Sequence, residues 1–278
     1  MALGQDYTVF QAEVWTPRFN VAFEKRLHGK KFCTDVSDRY IPGTYKIHIP
    51  HIGNSFTASS VATTSGEVTA TNVADTRTIL TLDKWEAVAY VMTKYEATVV
   101  MNDDKIKDAL AQKMSYALAD KVDQDLIGNF SSLTPSVGST GSSLVATNIE
   151  KAISIAESNS VPIGECKFVF SPKVYWRDIA AIQKYYDASQ VGRPTEVAGG
   201  QRGGLYGVPV LVTENVPAAT GAGSISALIH PTAIVYATTP IGIANKEGEH
   251  LRVKPTADVI YGYKLMNAKR GVKLLSQR

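Results

Sequence analysis

Residues 149–179 read IEKAISIAESNSVPIGECKFVFSPKVYWRDI, and their order of patterns decides the fold class. Apolar residues recur at three-to-four spacing up to Asn159, so 147–159 is a predicted helix, with Thr147 or Asn148 as cap and Glu150 near capping-box spacing. Val161-Pro162 ends it, Lys167–Phe170 is a short buried strand, and Ser171-Pro172 opens a further helix reaching about Tyr185. Helix, strand and helix in direct succession give a compact α/β segment within a chain of the α+β class.

Upstream, Asn102-Asp103-Asp104 puts acidic residues at a helix start. Ile106, Leu110, Met114, Leu118, Val122 and Leu126 then recur on one face, with Lys105, Asp108, Gln112, Ser115 and Asp123 on the other. This predicts a helix over 103–127, about 35 Å long, stopped by Gly128. Residues 131–143, rich in Ser, Thr and Gly, read as a linker.

Further upstream, TYKIHIPHI at 44–52 alternates, and alternation returns over 76–92. Between them, Gly53 to Asp75 is rich in Ser, Thr, Ala and Gly and has almost no large apolar side chain. Two strands around such a segment predict a long hairpin with no core of its own. Its ionisable groups from Gly53 to Thr78 are Glu67, Asp75 and Arg77. Residues 1–43 read as an arm, with a short helix around 17–27, that gains order by packing onto something else.

Downstream, 187–206 reads as an irregular glycine-rich loop, 207–213 and 225–229 as strands, Pro231–Ala237 as a short helix, and 251–253 and 256–265 as terminal strands.

The 278 residues carry 29 basic and 26 acidic side chains, a net charge of +3. So mild a balance argues against a dedicated nucleic-acid binder. The basic ends, 25–31 and 264–278, are short, and the sequence shows no folded basic face to join them. Cys33 and Cys166 have no Cys or His at ligand spacing, which argues against a disulfide scaffold or zinc ribbon and for two reduced, buried thiols. The start of the chain has no secretory pattern and no window has the length of a membrane span, so the expectation is a soluble protein made in a cytoplasm.

Catalytic patterns are sought without success. His48 and His51 fall on opposite sides of a strand, and the five histidines contain no helical ligand pair. The run Gly199–Gly207 precedes a strand rather than linking a strand to a helix, so it reads as a flexible loop and not as a phosphate cradle. In Tyr175, Trp176, Tyr185 and Tyr186, helical spacing sets Trp176 beside Ile179, which favours core packing over base stacking.

Taken in order, these patterns resemble the major capsid protein family of tailed bacteriophages, whose fold is shared with herpesviruses and encapsulin shells. The resemblance is carried by the 149–179 stretch, by GLYGVPVLVTENVP at 204–217, and by ALIHPTAIVYAT at 227–238, which looks like the helix that follows. It implies an N-terminal arm (1–43), an extended hairpin loop (44–92), a peripheral domain with a long spine helix (93–143), an axial α/β domain (144–250) and return strands of the peripheral domain (251–278).

The resemblance further implies a structural protein, not an enzyme, with no cofactor, that self-assembles as hexamers and pentamers of an icosahedral shell in the host cytoplasm. The implied partners are a separate scaffolding protein, a portal protein and packaged double-stranded DNA contacted only nonspecifically. Some members cross-link through a lysine on the hairpin loop; 53–76 contains none, so cross-linking is not carried over. Glu67, Asp75 and Arg77 are the candidate inter-subunit contacts. Alternative readings are an encapsulin-like nanocompartment shell, a small α+β enzyme with a cleft near 199–215, and a phage tail or adaptor component.

Overall fold

In the computed structural model, residues 28–52, 75–93, 95–96, 104–182, 201–219, 221, 223–248 and 252–278 are described. In chain order the strands are β1 (Thr34–Asp35), β2 (Lys46–Ile52), β3 (Asp75–Thr81), β4 (Lys84–Ala89), β5 (Met92–Thr93), β6 (Ser136–Gly138), β7 (Lys167–Phe170), β8 (Gln201–Leu205), β9 (Val208–Val212), β10 (Ala218–Ala219), β11 (Gly223–Ile229), β12 (Ile234–Thr238), β13 (Gly242–Gly248), β14 (Arg252–Leu265) and β15 (Gly271–Gln277). The helices are α1 (Asp104–Gly128), α2 (Ala146–Ser158) and α3 (Pro172–Val174), the last continuing as a π turn, Tyr175–Ile179.

The strands form a six-stranded sheet around β14, a seven-stranded sheet ordered β6-β15-β11-β7-β9-β8 with β10 beside β11, and the two-stranded ribbon β2–β3. These elements stack in layers, because the central strands bury both faces and feed a different core from each. On β12, Ile234 and Tyr236 face α1, while Val235 and Ala237 face the ribbon root. On β7, Val169 faces α1, while Phe168 and Phe170 face α2 and α3. Helix α1 therefore lies between the two sheets, with Met114, Leu118, Val122 and Leu126 each at most 4% exposed. A strand covered on both sides needs an apolar run in place of alternation, which is what FVF and ISALI supply.

Several elements differ from the sequence expectation. ALIHPTAIVYAT is not a helix: Pro231–Ala233 is a single 3-10 turn between β11 and β12. The β-branched Ile234 and Val235 take a strand, because β1 and β14 offer edges on either side. The 131–143 linker contains β6, held parallel to β15. Residues 201–207 are not a loop but β8 and a tight turn into β9, in which Tyr206 and Gly207 have φ of 54° and 80°. The terminal strands at 251–253 and 256–265 are one, β14, running through Pro255. Strand β15 joins the seven-stranded sheet. Helix α2 starts after Val145, with no side-chain cap from Thr147 or Asn148.

Trp176 is 61% exposed whereas Tyr175 and Ile179 are buried. The π turn, in which Ala180 N–H donates to Tyr175 O at 2.8 Å, widens the helix and turns Trp176 outward. Tyr185 and Tyr186 lie outside the described residues.

Candidate assembly surfaces

The ribbon grows out of the core. Lys46 pairs with Thr81 and the ladder runs seven pairs to Ile52 and Asp75, roughly 20 Å. At its root, Ile47 and Leu80 are 3% and 0% exposed and pack with Leu82, Val235 and Ala237. Gly262 allows this seating: a Cβ there would lie 2.1 Å from Thr81 O. Further out, the ladder pairs Ile49 with Thr78 and Pro50 with Arg77. Pro50 donates no N–H, and a ribbon of two strands is edge on both sides.

Of the three predicted contact residues, Arg77 is exposed on β3 opposite Pro50. Asp75 occupies the end of the ladder opposite Ile52. Glu67 lies outside the described residues, as does the 17–27 helix expected in the arm. Asp75 and Arg77 thus share one strand at the ribbon's outer end.

A second feature sits where the chain enters from residues 1–27. Asp123, 1% exposed on α1, accepts hydrogen bonds from the consecutive amides of His28 (2.8 Å) and Gly29 (2.7 Å). Burial pushes the Asp123 carboxyl up to about 6 despite those two donors. A Cβ on Gly29 would meet Leu126 Cδ1 at 2.3 Å, so only glycine lets the amides come this close. Phe32 packs edge-on against Phe130 at 5.7 Å just beyond. A cavity of about 210 Å³ opens here, lined by His28, Tyr116, Asp120, Asp123, Glu214 and Asn215 among others.

This corrects the expected polar face of α1. Ser115 and Asp123 are buried, while Ile106 is 41% exposed. The 3-10 turn Gly29–Lys31 packs against α1 from a position some ninety residues earlier, and helical periodicity carries no trace of it.

A third polar cluster fastens the six-stranded sheet to α1. Lys84 Nζ lies 2.6 Å from Asp125 Oδ2, and Tyr261 OH donates to the same oxygen at 2.8 Å. Burial pushes Asp125 up, but the hydrogen bonds from Lys84 and Tyr261 outweigh it and hold the carboxyl below its usual range. An ammonium held in this way is no nucleophile, so the cluster is a clasp.

Among the described residues no group of three His, Cys, Asp or Glu could hold a metal ion, and no helix is long and apolar enough to cross a membrane. His230 is occupied structurally: Nδ1 accepts from Thr232 N–H at 3.3 Å, and Nε2 lies 3.1 Å from Glu165. Both cysteines are buried and unpaired with each other. The described surface instead exposes large apolar groups, among them Trp85 at 70%, which belongs to the alternation read over 76–92, and Tyr95 at 80%.

Comparisons with known proteins find solved structures of similar overall fold. The chain is similar in structure to that of Gordonia phage Cozz (TM-score 0.63, 14% identity, 91% of this chain and 87% of that one). It is similar also to that of Mycobacterium phage Che8 (0.62, 15%, 83% and 84%) and to a virus-like particle from Pyrococcus furiosus (0.57, 13%, 94% and 98%). A search of curated proteins finds no match. At such identities structural likeness speaks for the fold, and the sequence itself supplies the family: residues 56–271, most of the chain, match the model of the phage capsid protein. The chain belongs to the phage capsid protein family.

Proposed function

We propose that this capsid protein assembles with copies of itself, as hexamers and pentamers, into the icosahedral shell around a tailed phage genome. Assembly takes place in the host cytoplasm on a separate scaffolding protein, around a portal. The observation that carries this reading is the ribbon, whose root is cemented into the core while its outer pairs leave it. A two-stranded ribbon alone is marginal in water, so a neighbouring subunit is the natural support for its outer half. Standard interfaces bury about 1,600 Å² in total, and obligate ones more.

Glu67, Asp75 and Arg77 set the register of the ribbon on that neighbour. The subunit has no enzymatic activity of its own, and packaged DNA meets it without sequence preference. Expression with the neighbouring reading frames, followed by gel filtration and negative-stain imaging, tests the proposal. Closed shells or free pentamers and hexamers are expected; a monodisperse small oligomer that turns over a substrate would overturn it. A nanocompartment shell is the second reading, with which the likeness to the virus-like particle from Pyrococcus furiosus is compatible. Nucleic acid inside the particles, as against protein cargo, separates the two.

A further inference from the structure

The face of the six-stranded sheet turned away from α1 is only partly covered. On β14, Ala257, Val259 and Tyr261 pack towards α1, so the even-numbered residues point to the other side. The ribbon root lies on that side, against Ile260 and over Gly262. Past Ile260 the cover ends. Trp85, opposite Ile260 on β4, is 70% exposed, and Ala87 and Ala89 on the same strand are exposed too.

Trp85 is nevertheless fixed in place. Its Nε1–H donates to Asp258 Oδ2 at 2.8 Å. Gly242, opposite Asp258 on β13, makes room for the carboxylate, since a Cβ there would lie 2.5 Å from Oδ1. Among the described residues the indole is the one partner of Asp258. A neutral donor orients the carboxylate and leaves its charge. Asp83, exposed two residues before Trp85, adds a second carboxylate. Lys254 and Arg252 share this face of β14, but the nearer of them is four residues from Asp258, roughly 13 Å. An oriented, open indole beside a carboxylate is a receptor for a cation, which the ring face and the charge both attract.

We infer that Trp85 and Asp258 receive a cationic side chain from a second copy of this chain, and that the side chain is Arg77 on its ribbon. The inference rests on the shell reading above and names what the ribbon meets on its neighbour. Charge complementarity carries the choice of occupant. Ile47 and Leu80 turn one face of the ribbon to the core, so Lys46, Pro50 and Arg77 stand on the other. Lys46 and Arg77 are exposed, and neither has a carboxylate partner among the described residues. Arg77 lies four pairs out from the Lys46–Thr81 pair, roughly 13 Å, whereas Trp85 follows Thr81 at the root. The ribbon thus carries Arg77 away from the Trp85 of its own subunit. A wholly apolar occupant would bury Asp258 without a counter-charge, and a phosphate backbone would be repelled by it.

The test uses full-length subunits expressed with the neighbouring reading frames. Pro50→Cys places a thiol opposite Arg77, and Ala87→Cys places one opposite Asp258. The two native cysteines are buried. Co-expressed and treated with a short bis-maleimide, the two variants should give a cross-linked dimer that neither gives alone. Trp85→Ala and Asp258→Asn should each lower the yield of shells about tenfold while circular dichroism shows a folded subunit. Asp258→Lys combined with Arg77→Glu should recover the yield that either change loses by itself. If Asp258→Lys does not fold, the cross-link decides.

Absence of the mixed dimer, or wild-type yield from both Trp85→Ala and Asp258→Asn, would overturn the inference. A lower yield from Trp85→Ala without the mixed dimer would mean that another occupant covers this face, and would overturn it too. Particles that form without the cross-link sink this inference alone. Failure of the wild-type chain to form any particle or capsomer sinks the shell reading, and this inference with it.

Discussion

Asp123 shows what one residue does to the arm's point of entry. Its carboxyl is pushed up to about 6 in the fold, from an ordinary 3.8, because burial outweighs the His28 and Gly29 amides. Lys31 draws it down slightly, while Asp120 one turn away pushes it up. Cys33 and Tyr236 feel its charge as well, and His28 and Glu214 line the same cavity. The folded state therefore holds this proton more tightly than the unfolded chain does. The stabilising contribution is fully present below about pH 3.8, fades as pH rises, and is gone above about pH 6. Over that interval it amounts to about 3 kcal/mol. Asp123→Asn should remove this part of the pH dependence, measured as urea midpoints at pH 4, 5, 6 and 7.5. A variant that keeps the wild-type slope would show that Asp123 is not the titrating group.

At the scale of elements, α1 is held by residues the period predicts and by some it does not. Leu118 is 1% exposed, and Gln112 is exposed. Leu118→Asp buries an unpaired carboxylate between the sheets and should cost on the order of 4 kcal/mol, enough to prevent soluble expression. Gln112→Ala should shift the denaturation midpoint by no more than about 0.5 kcal/mol. Equal tolerance at both positions would remove α1 from the centre of the core. The ribbon makes a complementary case, since its root packs in the core through Ile47 and Leu80. Replacing residues 53–74 by Asn-Gly, a two-residue hairpin turn, should leave a folded subunit by circular dichroism that forms no closed shell by negative stain. Wholesale aggregation, or normal shells, would contradict the division between root and tip.

For the whole molecule, small electrostatic contacts count because a shell repeats them. A rim ion pair is worth about 0–1 kcal/mol once, but closure needs it in every subunit. Arg77→Glu should leave the subunit folded and lower the yield of shells, more strongly at low salt, where screening is weakest. A compensating charge reversal on the partner surface should restore the yield. Assembly at wild-type yield at both salt concentrations would mean that the charges around Arg77 do not set the ribbon's register.

Patterns repeating within a few residues were enough to locate α1, the ribbon strands, β7, β9 and β11, because helix and strand periods are local consequences of burying one face or both. The order of those elements also carried the likeness to phage capsid proteins. Ile234–Thr238 became a strand because β1 and β14 flank it, which its own residues do not encode. Strands β13 and β15 went unread for a similar reason: their ladders with β14 and β11 supply the order that GIANKEG and GVKLLSQ do not signal. The burial of Asp123 depends on His28 and Gly29, 95 and 94 residues away. A residue's chemistry and its local period are written in the chain, but burial and charge clustering are properties of neighbours in space, and long-range strand pairing chooses those neighbours.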